Sequence, residues 1–351
     1  MSILFQPLTA GDLQLRNRLV LAPLTRARAG VERIPNALMQ DYYVQRASAG
    51  LILTEATAIT PSAVGYADTP GIWSDEQITG WKKITDAVHA EGSLIVMQLW
   101  HVGRISDPIF LDGALPVAPS AIKPAGHVSL VRPKKDYVTP RALTTSEVKV
   151  IVQDYRQAAI NAKQAGFDGV ELHGANGYLI DQFLQTKTNQ RDDEYGGSLE
   201  NRARLLLEVI DQLIEVWGAG RVGLHLAPRG DSHDIGDENP AQTFGYVAEQ
   251  VGQRQIAFIC AREYVAGDSL AGLIKQKFGG VFIANEKLDR QQAEQLLDSA
   301  EADAVAFGQL YIANPDLVER FKQQAELNTP NPATYYAEGA EGYTDYPFLN
   351  Q

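Results

Sequence analysis

Three side chains that can donate hydrogen bonds follow one short apolar segment. Residues 170–172 are typical of a buried parallel strand, and His173, Asn176 and Tyr178 come directly after it. In a parallel α/β barrel, polar groups just past the carboxyl end of a strand face the active site. No charged nucleophile and no cysteine stands among them. The group is therefore suited to holding a neutral substrate oxygen while a phenol supplies a proton.

Segments typical of strands and helices alternate along the chain, and they must position these donors. The strand-like segments are 19–24, 50–54, 93–99, 169–172, 222–226, 256–260, 280–284 and 304–307. The helix-like segments are 75–90, 145–165, 199–217, 240–251, 290–300 and 315–325, with capping residues Ser74, Thr144, Ser198 and Asn314. Eightfold alternation predicts an α/β fold, a (β/α)8 TIM barrel. A doubly wound open sheet is less favoured, because no Gly-x-Gly-x-x-Gly opens a helix after the first strand.

Three segments fall outside this alternation. Residues 5–18 predict an N-terminal β-hairpin that caps the bottom of the barrel. Residues 105–140, after the third strand, are rich in Pro, Gly and Ser, and we expect this long loop to form a lid or a pocket wall. The tail from residue 328 onward is rich in tyrosine, so we expect it to pack on the body. We expect residues 1–351 to form one domain.

The composition is that of an ordinary globular protein with a large core. The 351 residues are 45% hydrophobic and carry a net charge of −12, which argues against nucleic acid or an anionic membrane as the main partner. Cys260 is the only cysteine, so no intramolecular disulfide can form, and we expect it to be a small buried apolar residue. The chain has neither a signal-peptide pattern nor a membrane-length apolar segment, so we expect a cytoplasmic protein.

Several motifs at strand ends, in a fixed order, carry a resemblance to a known family. They occupy residues 22–26, 55–57, 98–104, 173–178, 195–198, 303–308, 313–315 and 339–347. Over essentially its whole length the chain resembles the Old Yellow Enzyme family. The resemblance implies a barrel that binds FMN tightly and non-covalently and takes NAD(P)H as reductant. The implied substrates are activated C=C bonds of α,β-unsaturated carbonyls and maleimides, and also nitro compounds or nitrate esters. Monomer and homodimer both stay open.

The resemblance also implies roles for the three donors. His173 and Asn176 would hold the carbonyl or nitro oxygen of the substrate over the flavin. In a ping-pong sequence, hydride would pass through flavin N5, and Tyr178 would protonate the α-carbon. Loss of one preorganised donor to a developing oxyanion typically costs about 3–4 kcal/mol. A phenol with a reference pKa of about 10 is protonated at neutral pH and can act as the acid.

Cofactor contacts implied by the resemblance lie at the ends of the first three strands. The Thr25 hydroxyl would bond flavin O4, and the Gln98 amide would read the pyrimidine edge. Pro23, Leu24 and Ala56 would contribute backbone contacts.

Two cations that this family usually places on the flavin are replaced in this chain. His225 stands where the fifth strand usually carries an arginine facing N1 and O2, and Gln309 follows Gly308 where an arginine usually binds the phosphate. A histidine could become charged when the flavin is reduced, so we expect a pH-dependent flavin potential. Backbone N–H groups at a helix start can still bind phosphate. Asn285 matches the loop after the seventh strand, and Arg262 is the candidate replacement phosphate ligand.

The pocket over the flavin is predicted from aromatic positions. Tyr66, Trp100 and Tyr343 match residues that line this pocket in the family. The acidic loop 231–238, which contains His233, has no known ligand spacing, so we expect a solvated loop and no metal site.

Two other functions remain as alternatives. A metal-dependent TIM-barrel hydrolase, with His101, His173, His225 and His233 as ligands, would need an early His-x-His that the chain lacks. A flavin-binding redox sensor without significant turnover would differ in its response to NADPH and an enone. The larger dienoyl-CoA reductases are excluded by length and cysteine count. The sequence leaves the choice between NADPH and NADH undecided.

Overall fold

Eight parallel strands close into a barrel in the computed structural model, which describes residues 2–264 and 266–349. Each strand pairs with the next along the chain, and the eighth pairs with the first. The strands are β1 (Leu19–Leu21), β2 (Leu51–Leu53), β3 (Ile95–Trp100), β4 (Gly169–Gly174), β5 (Val222–Leu226), β6 (Phe258–Arg262), β7 (Val281–Asn285) and β8 (Ala304–Phe307). The predicted (β/α)8 fold is confirmed, and each strand overlaps its predicted segment.

The strands separate two apolar layers. On β2, Leu51 and Leu53 belong to the cluster inside the barrel, whereas Ile52 between them belongs to the larger cluster under the helices. This is the two-residue period of a strand whose faces are both covered. The alternation directs every second side chain of a strand inward, toward the axis along which the site must lie.

Ten helices lie among the described residues, and the six predicted ones are confirmed. They are α1 (Ala37–Gln45), α2 (Asp75–Ala90), α3 (Thr145–Gln164), α4 (Leu179–Leu184), α5 (Leu199–Trp217), α6 (Pro240–Gln253), α7 (Ala271–Phe278), α8 (Arg290–Asp298), α9 (Gln309–Ala313) and α10 (Leu317–Gln323). Helix α4 escaped prediction because all six of its residues are buried, which leaves no polar face to give a helical period. Within the described ranges, no helix combines the length and apolarity that crossing a bilayer requires.

Three of the four predicted helix caps are confirmed. Ser74, Thr144 and Ser198 each accept a hydrogen bond from the backbone three residues on. The prediction for Asn314 is wrong, because α10 begins only after Asp316. Asn314 instead ends α9, and its side chain accepts from the N–H of Asn328 at 2.7 Å, which ties the start of the tail to the barrel.

The predicted N-terminal hairpin is confirmed and closes the bottom of the barrel. Its antiparallel strands, Leu8–Ala10 and Leu13–Leu15, place Ala10, Leu13 and Leu15 in the inner apolar cluster. The N–H of Asp12 donates to the carbonyl of Gly220, just before β5. The amino ends of the strands are thus sealed, and the open end of the barrel is the carboxyl end.

The long loop after β3 forms a wall at that open end. Val117–Ala118 pairs with Arg141–Ala142 at the two ends of the loop. Between them, Val128 and Tyr137 pack in one cluster with Trp100. The loop therefore packs at the open end of the barrel, and its role as a pocket wall stays a prediction.

Three buried arginines hold the tail on the body. Arg26, Arg28 and Arg46 are 1%, 6% and 0% exposed, and their guanidinium groups have main-chain carbonyls of the tail as acceptors. These acceptors belong to residues 334, 335, 339, 341, 342 and 343. The tail packs back as predicted, and polar bonds contribute to this docking together with the aromatic contacts.

Replacement of Arg28 by alanine is expected to weaken the fold strongly. The change removes the donor to the carbonyls of Thr334, Tyr335 and Glu341 in a buried setting. Because each unsatisfied buried group costs about 1–3 kcal/mol, we expect unfolding free energy to fall by about 3 kcal/mol or more. The change is measured as the denaturant concentration at the midpoint of unfolding, compared with that of the wild-type protein. Arg132→Ala, at an exposed arginine that donates only to the adjacent carbonyl of Val131, is the control. Equal midpoints for the two variants would contradict this account of the tail.

Candidate active site

The three predicted donors lie together at the carboxyl end of β4. His173 is inside the strand, and the chain then turns through Asn176 (φ +58°) and Gly177 (φ +75°). A Cβ on Gly177 would lie 2.6 Å from the carbonyl oxygen of Ser232, so only glycine fits this turn. The N–H of Gly177 donates to Asp181 at 2.9 Å, and Tyr178 precedes α4. A tight turn between strand and helix thus sets the spacing of the three groups.

His173 has a buried imidazole that accepts a hydrogen bond from the main chain. Burial, followed by the neighbouring His225, lowers its pKa well below the ordinary value, so the imidazole is uncharged at neutral pH. The backbone N–H of Ala175 donates to Nδ1 at 3.4 Å. Because Nδ1 is an acceptor there, the ring proton belongs on Nε2, the nitrogen left for a ligand.

Tyr178 lies in an aromatic enclosure. Its ring is 4.9 Å from that of Trp100 and 5.1 Å from that of His173, in both cases edge to face. Its hydroxyl shares a 2.8 Å hydrogen bond with the hydroxyl of Tyr66. Burial raises the pKa of Tyr178 well above the ordinary value, so the phenol keeps its proton across the neutral and moderately alkaline range. Tyr66 and Trp100, the predicted pocket residues, therefore both lie against Tyr178.

Tyr343, the third predicted pocket residue, does not lie in this enclosure. It is completely buried and stacks on Tyr42 at 4.3 Å, with the guanidinium of Arg28 4.6 Å from its ring. The tail instead contributes Tyr336, which is 51% exposed and influences the pKa values of Tyr66 and Tyr178. The prediction is corrected: Tyr343 anchors the tail, and Tyr336 is the tyrosine of the tail that lies near Tyr66 and Tyr178.

Asn176 is held by two residues that sequence reasoning did not assign to it. Arg262 Nη1 donates to Asn176 Oδ1 at 2.9 Å. His233 Nδ1 lies 2.7 Å from the Asn176 carbonyl, and its Nε2 lies 3.4 Å from the Tyr66 hydroxyl. His233 was expected in a solvated loop, yet it joins Asn176 to the tyrosine pair. No spacing in the sequence signals this contact, since it depends on how the loops after β4 and β5 meet.

The residues expected around a flavin ring lie at the same end of the barrel. Pro23, Leu24 and Thr25 follow β1 and are half-buried, while Ala56 follows β2 and is buried. A Cβ on Gly308, after β8, would lie 3.3 Å from Leu24, so the ends of the first and last strands approach closely.

A hydrogen-bonded group below this rim involves Gln98 and His225. Gln98 Nε2 donates to Glu171 at 2.8 Å, and His225 Nδ1 lies 3.4 Å from the other oxygen of that carboxylate. Glu171 was missed from the sequence, although it stands two residues before His173 and shares its inward face.

The ends of β7 and β8 are where parallel barrels often bind phosphate. Asn285 ends β7, and the next residue, Glu286, has φ +103°, in the region that favours glycine. The Glu286 carboxylate accepts from Arg262 Nη2 at 3.0 Å, while Gln309 after β8 is exposed. Arg262, the expected replacement phosphate ligand, thus directs both terminal nitrogens at protein acceptors.

The metal-ligand set proposed for a hydrolase is not brought together. His101 Nδ1 accepts from the N–H of Gly103, and burial lowers its pKa to about 3. Among the described residues, ligand atoms within 4.8 Å of one another come instead from Glu171, His225 and Cys260. Glu171 is already engaged by Gln98, and burial keeps Cys260 a neutral thiol by raising its pKa.

Comparisons with known proteins agree with this geometry. The model of the NADH:flavin oxidoreductase / NADH oxidase family matches residues 3–328. The chain therefore belongs to that family, and the resemblance to the Old Yellow Enzyme family is confirmed.

Individual relatives match over nearly their whole length. A probable flavin mononucleotide-dependent alkene reductase of Leishmania infantum is 44% identical, covering 99% of this chain and 98% of its own. A 12-oxophytodienoate reductase of rice, Oryza sativa subsp. japonica, is 42% identical over 99% of this chain and 93% of its own. The structure of morphinone reductase in complex with tetrahydroNAD superposes with a TM-score of 0.95 at 49% identity, covering 99% and 97% of the two chains. The old yellow enzyme homologue of Zymomonas mobilis superposes with 0.96 at 43% identity, covering 99% of each chain.

The protonation of His173 can be measured directly. We expect the imidazole to remain neutral with its proton on Nε2 from pH 6 to 8, because its pKa is lowered by burial. Nitrogen NMR of protein labelled at its six histidines would report this, with His173→Gln identifying the signal. An imidazolium signal for His173 at pH 6 would contradict the site geometry.

Proposed function

We propose that this chain is an FMN-dependent NAD(P)H oxidoreductase that reduces activated C=C bonds. The preferred substrates are α,β-unsaturated carbonyls and maleimides, with nitro compounds or nitrate esters as further acceptors. The observation that carries the proposal is the convergence of His173, Asn176 and the protonated phenol of Tyr178 at the open end of the barrel. Membership of a flavin oxidoreductase family supports it, as does the alkene reductase among the relatives.

The residues at the rim fit a flavin ring better than they fit its phosphate. Thr25, Gln98 and His225 offer hydrogen-bonding side chains at or just below this rim, on separate strands, as a pyrimidine edge requires. At the phosphate end, Glu286 places a carboxylate where an anion would bind, although Asn285, Gly308 and Gln309 can offer uncharged donors. When bound there, FMN would supply the chemistry of hydride transfer between NAD(P)H and the alkene.

The chain's own residues would stabilise and protonate the substrate. His173 Nε2–H and the Asn176 amide would donate to the carbonyl oxygen, where negative charge grows as the alkene is reduced. In a water-poor site such paired donors are worth about 3–4 kcal/mol each. Tyr178 would then protonate the α-carbon, and Tyr66, whose hydroxyl is 2.8 Å away, orients the phenol. Trp100 and the loop after β3 would keep water from the reacting atoms.

The direct test is the anaerobic absorbance spectrum of the purified protein during successive additions. We expect flavin bands that bleach with NADPH and recover with 2-cyclohexenone. Bleaching without recovery by any activated alkene would favour the redox sensor. A colourless protein that takes up no added FMN would overturn the proposal.

Tyr178→Phe should separate the two half-reactions. The variant loses the proton donor but keeps the ring, so reoxidation by 2-cyclohexenone should slow by about 10²–10⁴-fold. Reduction by NADPH, which needs no proton from a phenol, should keep its rate in stopped-flow absorbance. Tyr66→Phe is the matched control, since it removes one hydroxyl from the same pair and should have a much smaller effect. A reoxidation rate unchanged in Tyr178→Phe would exclude the phenol as the acid.

Gln309→Arg should tighten FMN selectively. A guanidinium at the start of α9 would form a charge-assisted bond with the phosphate, and we expect about tenfold higher affinity for FMN with no change for riboflavin. Quenching of flavin fluorescence measures both constants. Gln323→Arg, at an exposed residue of α10, controls for the added charge. Equal tightening of both flavins would show that residue 309 does not face the phosphate.

A further inference from the structure

Arg262 connects the two ends of the site. Its Nη1 donates to Asn176 Oδ1 at 2.9 Å and its Nη2 to Glu286 Oε1 at 3.0 Å. The side chain ends β6 and is 39% exposed, so it stands at the rim and not in the core. One guanidinium therefore touches both a substrate-binding amide and the loop after β7.

The chemistry of the two partners fixes how the Asn176 amide is turned. A guanidinium has donors only, so it can face the carbonyl oxygen of an amide but not its NH2 group. With Oδ1 held by Arg262, the Nδ2 hydrogens are directed away from it. The amide is thereby set to donate, which is the role that a substrate oxygen requires.

Asn176 is also fixed through its backbone. Its φ is +58°, and His233 Nδ1 lies 2.7 Å from its carbonyl oxygen. The carbonyl of His233 in turn accepts from Arg104 at 3.0 Å. Since the main chain is held on this side, rotation of the side chain is the remaining freedom, and Arg262 removes it.

Glu286 restricts the side-chain rotation of Arg262 in turn. An exposed arginine has many rotamers, and a pair with a carboxylate at 3.0 Å selects the one that reaches Asn176. The pair also occupies Nη2. A phosphate could therefore bind this nitrogen only by displacing the Glu286 carboxylate.

We propose that Arg262 is a positioning residue for substrate reduction: it orients the Asn176 amide to donate to the substrate oxygen, and Glu286 holds it in place. This inference rests on the proposed function. It assigns to Arg262 a role toward the substrate, in place of the role toward the cofactor phosphate suggested by the sequence.

The test is a double-mutant cycle with flavin affinity measured beside it. Arg262→Met should lower the rate of reoxidation by 2-cyclohexenone about 10- to 100-fold, because the misplaced amide no longer supports the oxyanion. Added to Asn176→Ala, the same change should have almost no further effect, because the two residues act as one unit. Arg262→Lys, which keeps the charge on a single nitrogen that cannot span both partners, should lie between Arg262→Met and wild type.

Two further readouts separate positioning from other roles. Affinity for FMN should be the same in Arg262→Met as in wild type, and reoxidation by ferricyanide, which needs no oxyanion donor, should keep its rate. Arg254→Met removes the same charge from an arginine after α6 that pairs with Asp211 on the surface, and it should leave all of these values unchanged.

Each contrary result overturns the inference. Weaker FMN binding with an unchanged 2-cyclohexenone rate per bound flavin would make Arg262 a phosphate ligand. Additive effects of Arg262→Met and Asn176→Ala would show that the two act independently. If Arg262→Met changed neither the 2-cyclohexenone rate nor FMN affinity, the pair of Arg262 with Glu286 would be a surface ion pair without a role in positioning.

The orientation can also be tested without turnover. NMR relaxation of the Asn176 side-chain amide should show a lower order parameter in Arg262→Met than in wild type, because the bond to Oδ1 that fixes its rotamer is lost. This readout remains valid even if the proposed reductase activity fails, so the two failures can be told apart.

Discussion

The site depends on one constraint: eight parallel strands that close on themselves have all of their carboxyl ends at one mouth. Thr25, Gln98, His173, His225 and Arg262 are widely separated in sequence, yet each lies at or just past the end of a different strand. The hairpin of residues 8–15 fills the opposite end, so a ligand can enter only where these side chains stand. Closure, and not local sequence proximity, makes them neighbours.

The second determinant is the burial of the donors in surroundings of low polarity. The enclosure of Tyr66, Trp100 and the loop after β3 raises the pKa of Tyr178 and that of Tyr66, while burial lowers that of His173. Both directions follow from one cause, since low polarity disfavours whichever form is charged. The result is a set of neutral donors at pH 7, able to stabilise charge that appears only during a reaction. A charged imidazolium would bind anions in the ground state as well and so would discriminate less.

Much of this could be predicted from the sequence because it is encoded in short segments. Strands and long helices follow from apolar periodicity, and the residues at strand ends follow from the strands. The contacts of His233 could not be predicted, because they arise where two loops meet. Tyr336 and Tyr343 lie seven residues apart in an irregular tail. Because the tail has no helical or strand period, the sequence does not show that Tyr343 is buried against the arginines while Tyr336 stays exposed. Asparagine suits either end of a helix, so the sequence does not distinguish a helix start at Asn314 from the helix end that the structure shows there.

The docking of the tail has a consequence for the order in which the protein can be made. Arg26 donates to the carbonyl of Gly342, 316 residues later in the chain, and β1 lacks its β8 neighbour until residue 304 has been synthesised. Until then the barrel cannot close, and Arg26 and Arg28 lack their acceptors in the tail. A chain released after residue 330 would contain all eight strands, but Arg26 and Arg28 would lack their acceptors in the tail, whereas Arg46 would keep the carbonyls of Tyr42, Tyr311 and Ile312. Chaperones and proteases acting on such a chain would encounter guanidinium groups that the finished molecule buries.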